Sequence, residues 1–193
     1  MIYDITQPLF DCVVYPGNSA PKLMPMKRIA DGERYNLTDI SLCVHNGTHV
    51  DSPFHFYKDG KTIERIKLEK FIGKAYVVSH QGDITAEDAE NILKTAESEG
   101  ANKILIKGEA VITLEAAKVF SRAKIDLLGN ESQSTGPKGA GMPVHLELLG
   151  AEVVLLEGIR LGAVNDGFYF LNCAPLNLAG CDGSPCRAIL MDL

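Results

Sequence analysis

The sequence predicts an α/β fold, a single domain over residues 1–193 in which a mixed β-sheet is flanked by helices. Three observations predict it. The first third is rich in Ile, Val, Tyr and Thr and is broken by Pro and Gly, a composition of strands and turns. Residues 83–158 alternate segments of helical apolar spacing with short apolar runs, the order that joins parallel strands through helices. From residue 167 the chain returns to β character. With 46% hydrophobic and 23% charged residues, a chain of 193 can bury one substantial core.

The elements follow in order. IYDIT (2–6), KLMPMKRI (22–29) and YNLTDISLCVH (35–45) read as strands, and the alternation in NLTDISLCV predicts a half-buried strand running straight into a histidine cluster. GKAYVVSH (73–80) reads as a buried strand. In DITAEDAENILKTAESEG (83–100), Ile84, Ala89, Ile92, Leu93 and Ala96 recur at helical spacing, with Thr85 as N-cap and Gly100 as the stop. A strand KILIKG (103–108), a helix over 113–122, a strand IDLLG (125–129), a helix MPVHLELLG (142–150) and a strand EVVLLEG (152–158) come next. The tail segments GFYFLNCAPLNLAG and CRAILMDL close the sheet. Neither a linker nor a repeat interrupts this order.

Composition narrows the partners. A formal net charge of -6 disfavours nucleic acid, whose phosphates call for a basic patch. The densest basic stretch, KDGKTIERIKLEK, is interleaved with acids and reads as a solvated face. Apolar runs stay well short of the roughly 20 residues that span a bilayer, so no membrane segment is expected. The N-terminal MIYDITQPLF lacks the basic and apolar regions of a secretory signal, which places the expected location in the cytoplasm. Five cysteines (12, 43, 173, 181 and 186) are an odd number without a CxxC pair and read as reduced thiols, with Cys181 and Cys186 as buried small hydrophobes rather than a thiolate metal site.

The chemistry concentrates at Val44 to Phe56, VHNGTHVDSPFHF, which holds three of the chain's five histidines. His45, His49 and Asp51 offer two imidazoles and a carboxylate, the donors of a divalent metal site. A helix would put His45 and His49 on one face, but Gly47, Thr48, Val50 and Pro53 oppose one. A straight strand would separate residues 45 and 51 by roughly 20 Å at about 3.3 Å per residue, too far for one ion. Asn46-Gly47 is a turn signal, and a bend there is the condition on which the cluster works as a site. His55, just past Pro53, is placed to act as an acid or base. His80 follows a strand outside any such cluster and reads as structural.

These residues carry a resemblance. HNGTHVDSPFHF resembles the HxGTHxDxPxHF signature of the metal-dependent cyclase family, which includes bacterial kynurenine formamidases and isatin hydrolases. YDITQPL, VVYPGNS and the closing APLNLAGCDGSPCRAIL, with its DGSPxRA pattern, extend it over essentially the whole chain. The resemblance implies a swivelling β/β/α-like fold, a homo-oligomer, and His45, His49 and Asp51 as metal ligands with His55 as catalytic acid/base. It further implies His145 and Glu157, twelve residues apart, as additional ligands. Two departures bear on substrate. GNESQSTG stands where the family commonly shows GxDxxSxD, with Glu131 and Gly136 at the two Asp positions, and the chain has no Trp. Tyr15, Phe54, Phe56, Glu131 and Ser134 are the expected substrate contacts, and Phe168 is a further aromatic available to the pocket.

The expected function is a metal-dependent hydrolase of an amide, formamide or cyclic amide, arylformamidase-like, acting on a small molecule. Its cofactor is one or two divalent ions per subunit, Zn2+ or alternatively Mn2+, and Asp51 and Glu157 are the candidate bridging carboxylates. GSP at 183–185 lacks a G-x-S-x-G elbow, so a serine nucleophile is disfavoured. A metal-dependent lyase, dehydratase or lactonase uses the same donors and is the first alternative. A non-catalytic metal-binding protein is the second, opposed by His55 beside the ligands.

Overall fold

Thirteen strands and three helices are built in the order the sequence sets out, in a computed structural model that describes residues 1–193. The strands are β1 (Ile2–Asp4), β2 (Lys22–Lys27), β3 (Leu37–Ser41), β4 (His49–Asp51), β5 (Ile72–Ser79), β6 (Gly82–Ile84), β7 (Lys103–Lys107), β8 (Ala110–Ile112), β9 (Leu127–Asn130), β10 (Val154–Glu157), β11 (Gly167–Asn172), β12 (Gly183–Pro185) and β13 (Ile189–Asp192). The helices are α1 (Ala86–Ser98), α2 (Leu114–Ala123) and α3 (Met142–Gly150).

One nine-stranded sheet runs β1-β13-β11-β5-β7-β9-β10-β4-β12. Its middle, β5-β7-β9-β10, is parallel, and both flanks are antiparallel. The parallel part follows from the helical crossovers: a parallel neighbour is reached only by a long connection, and α1, α2 and α3 supply three of them. Thr85 starts α1 with a reciprocal capping box, its hydroxyl accepting from the Asp88 N–H while the Asp88 carboxylate accepts from the Thr85 N–H. Gly100 ends it with φ of +69°, in the left-handed region glycine tolerates.

The central strands are apolar on both faces and feed two cores. Ile104, Ile106, Leu128 and Leu155 point to the helices, among Ile92, Phe120 and Leu148. Leu105, Leu127, Val154 and Leu156 point the other way, against Phe71, Val77 and Leu171. Strand alternation therefore fixes which side of β10 and β4 each residue serves.

The structure corrects the reading of residues 35–45. β3 is neither half-buried nor continuous with the histidine cluster. It pairs only with β2 in a separate two-stranded ribbon whose β3 residues are all exposed. Its apolar residues Leu37 and Ile40, three apart, point to opposite faces of the ribbon, and neither face meets a core. The short strands β6, β8 and β12 carry too few residues for a periodic signal, and the sequence did not predict them.

Candidate metal centre

The site is assembled where β10 ends and β4 begins. β4 is antiparallel to β10 in a register that sets His49 opposite Glu157 and Asp51 opposite Leu155. Leu155 faces the helices, so His49, Asp51 and Glu157 share that face by the two-residue alternation of strands. α3, on the same face, brings in His145 between β9 and β10. The predicted turn precedes β4: Cys43 C=O accepts the Asn46 N–H at 3.0 Å, and Gly47 takes φ of +67°. That bend returns His45 to its partners, with Nδ1 2.8 Å from Asp51 Oδ1. Past β4, Pro53–His55 form a 3-10 turn that carries His55.

The donor atoms converge. His49 Nε2 lies 3.4 Å from both Asp51 Oδ1 and Glu157 Oε2, and His145 Nε2 lies 3.3 Å from Glu157 Oε1. Each of these imidazoles gives its Nδ1–H to a backbone carbonyl, His49 to Gly47 at 3.0 Å and His145 to Gly141 at 2.9 Å. Such a bond to the far nitrogen fixes the tautomer that leaves Nε2 as a metal donor. Two overlapping sets, His45–Asp51–His55 and His49–Asp51–Glu157, keep one ligand atom per residue within 4.8 Å of one another and share Asp51. Asp51 and Glu157 are only 1% and 3% exposed, and buried carboxylates cost several kcal/mol each unless cations accompany them. The arrangement of mixed N and O donors therefore fits a borderline divalent ion.

The electrostatics point the same way. Burial pulls the His45 pKa down, but hydrogen bonds to Asp182 and Asp51 outweigh it and hold the imidazole up at about 10. Burial likewise pulls His49 and His145 down, but the carboxylates of Glu157 and Asp51 outweigh it and both are raised. Glu157 is held below the usual carboxylate range because His145 and His49 more than offset its burial. The carboxylates thus favour positive charge on the imidazoles beside them, and a bound cation can take its place.

These groups open into a cleft of about 340 Å³ lined by Tyr15, Phe56, Gln133, Ser134 and Met142 among others. Of the expected substrate contacts, Tyr15, Phe56 and Ser134 are on its wall. Phe54 and Glu131 are not. The Glu131 carboxylate is occupied by the N–H groups of Gly108 at 2.7 Å and Leu161 at 2.8 Å, which tie down the loops flanking the site. Phe168 stacks on Tyr76 across β5 and β11, away from the cleft, and His80 bonds the Asp83 carbonyl at the surface. A second hollow, lined by Val13, Val14, Ala110 and Val111, shares Tyr15, Gln133 and Ser134 with the cleft and gives it an apolar extension. A larger one of about 700 Å³ beside Asp4, Leu9 and Arg187 has no imidazole or converging carboxylates and offers no comparable chemistry.

The sequence reading missed Asp182. Its Oδ2 is 2.8 Å from His45 Nε2 and 3.0 Å from His55 Nδ1, and these two imidazoles hold its pKa below the usual range. It also missed the Thr135 N–H, which donates to Glu157 Oε1 at 2.6 Å.

Residues 3–137, including the whole histidine turn, match the model of the Cyclase family. The chain belongs to the Cyclase family. It is similar to the kynurenine formamidase of Salinibacter ruber, with 31% identity over 93% of this chain and 91% of that one, and to the kynurenine formamidase of Bacillus cytotoxicus, with 28% identity over 98% and 97%. Among solved structures, a "predicted metal-dependent hydrolase" of Bacillus stearothermophilus superposes with a TM-score of 0.81 at 26% identity, covering 98% of this chain and 97% of that one. Isatin hydrolase A of Labrenzia aggregata superposes with a TM-score of 0.83 over 100% and 93% of the two chains at 22% identity, a likeness of fold. The cyclase-family fold expected from the sequence is the one observed.

Proposed function

We propose that the chain is a metal-dependent hydrolase cleaving the C–N bond of a small formamide, amide or cyclic amide. In this reading His45, His49, Asp51, His145 and Glu157 hold one or two divalent ions, Zn2+ or alternatively Mn2+, and His55 is the acid/base. One observation carries it: side chains from a turn, β4, α3 and β10 direct their donor atoms into one cleft, with Asp51 common to two donor sets. The kynurenine formamidases it resembles over nearly its whole length support the C–N bond as the target.

When bound there, a divalent ion supplies Lewis acidity, polarising a carbonyl and acidifying water. The chain supplies the rest. His49 and His145 are locked by backbone carbonyls so that Nε2 faces the carboxylates. His55, at 28% side-chain exposure, is the most open imidazole of the group and is reachable by substrate, so it is the one to carry a proton to the leaving nitrogen. Tyr15, Phe56 and Ser134 flank the acyl end, and the hollow of Val13, Val14, Ala110 and Val111 takes the apolar part of the substrate. The proposed compartment is the cytoplasm, supported by five free cysteines in a chain that uses none as a staple. Assembly as a homo-oligomer is supported by the exposed apolar residues of the β2–β3 ribbon.

The test is a substrate panel with Zn2+ and with Mn2+: release of acid and amine from N-formyl arylamines and cyclic amides, set against loss of water from hydroxy-carbonyl compounds. Hydrolysis is expected, with His55→Ala lowering kcat by about 100-fold or more. Dehydration without any hydrolysis contradicts the reading.

A further inference from the structure

Asp182 is the carboxylate beside the cleft that the ligand set leaves without a task. Its backbone is pinned. The Asp182 carbonyl accepts both the N–H and the hydroxyl of Ser52, each at 3.0 Å, and Ser52 is fully buried directly after Asp51. The next residue, Gly183, pairs with Asp51 in the β4–β12 ladder. Only glycine fits there: a Cβ would meet the Val50 carbonyl at 2.8 Å and His45 Cε1 at 3.0 Å. The edge strand thus passes tightly under the His45 ring and delivers one side chain to it.

That side chain is shared. A single oxygen, Oδ2, accepts from His45 Nε2 at 2.8 Å and from His55 Nδ1 at 3.0 Å, and the two rings lie 4.1 Å apart at 37°. A proton on His45 Nε2 leaves the Nδ1 lone pair free to ligate an ion, 2.8 Å from Asp51 Oδ1. A proton on His55 Nδ1 leaves Nε2 for transfer. One acceptor therefore selects both tautomers and both ring orientations.

We infer that Asp182 is a positioning residue that anchors the metal-ligand imidazole of His45 and the acid/base imidazole of His55 through one carboxylate oxygen, so that ion binding and proton transfer depend on the same side chain. This rests on the proposed roles of His45 and His55. It assigns to Asp182 no contact with the substrate and no bond to the ion.

The test compares wild type, Asp182→Ala, Asp182→Asn, His55→Ala and the double variant Asp182→Ala/His55→Ala on an N-formyl arylamine at saturating Zn2+. Zn2+ affinity is read separately by chelator competition, which needs no turnover. Asp182→Ala is expected to keep the wild-type number of ions at saturation, to weaken Zn2+ about 10–100-fold and to lower kcat by a similar factor, with KM within about twofold. Asp182→Asn, which keeps an acceptor oxygen, recovers part of both. The double variant is expected to turn over within about twofold of His55→Ala, because the effect on kcat passes through His55. Unchanged kcat and Zn2+ affinity in Asp182→Ala overturn the inference. So does a kcat loss that persists in full on top of His55→Ala, and so does the loss of one ion per chain at saturation, which makes Asp182 a ligand. Wild-type kcat in His55→Ala alone refutes the acid/base role of His55, while the Zn2+ affinity of Asp182→Ala still decides the His45 half.

Discussion

At the scale of single residues, the candidate site depends on which nitrogen of each imidazole faces the ion. His49 and His145 are fixed by the Gly47 and Gly141 carbonyls, His45 and His55 by Asp182. Protons and ions compete for the nitrogens that remain. His45 is held at about 10, so it carries a proton at neutral pH and must give it up to bind an ion, and the carboxylates shift His49 and His145 in the same direction. The sign follows: Zn2+ affinity rises as pH rises from neutral toward about 10, and binding releases protons. Calorimetry in two buffers of different ionisation enthalpy measures that release, and an affinity independent of pH contradicts it. The proposed ligands His45, His49 and Asp51 could be singled out because all lie within seven residues and their types are those of a metal site. Asp182 stood in the DGSPxRA pattern without a role, since it is 137 positions from His45 and reaches it only beside an edge strand three residues long. Spacing along the chain carries no information about strand order. Glu131 illustrates the reverse case, a carboxylate beside the site by sequence whose bonding capacity is spent on loop amides.

At the scale of elements, the 3-10 turn Pro53–His55 sets the position of His55, and Gly60 closes it from the far side. A Cβ at Gly60 would come 2.5 Å from the Pro53 carbonyl carbon and 2.7 Å from the Phe54 nitrogen. Gly60→Ala is therefore expected to displace the turn, costing about 1–3 kcal/mol of stability and lowering kcat more than it changes metal content. Denaturant unfolding and metal analysis on one preparation check both halves. By contrast Thr85→Ala, which breaks the α1 capping box far from the cleft, is expected to cost about 1 kcal/mol and leave kcat unchanged. A fall in kcat would mean that α1 communicates with the site. The helices and the central strands were legible because each carries a clear period or a long apolar run. β3 misled because alternation reports two unlike faces without saying whether either meets a core.

At the scale of the whole molecule, the parallel centre carries the core on both faces and places its strand ends beside an antiparallel pair, and the site forms at that junction. The β2–β3 ribbon stands outside both cores with Leu23, Met24, Met26, Leu37 and Ile40 exposed. Burying these in a homo-oligomer removes an apolar surface that a monomer would leave in water. Light scattering is expected to give at least twice the chain mass of 20.9 kDa, and replacing Met24, Met26 and Ile40 together by Ser is expected to return it to the monomer value. A wild-type monomer at micromolar concentration contradicts this assembly. The central claim, that the converging histidines and carboxylates form the metal centre of a hydrolase, is tested most directly by counting ions per chain in wild type and His49→Ala after equilibration with Zn2+ and desalting, alongside hydrolysis of an N-formyl arylamine. The predicted result is one or two ions per wild-type chain, with ion and hydrolysis lost together in the variant. A fully metallated His49→Ala, or hydrolysis that survives complete removal of metal, would contradict it.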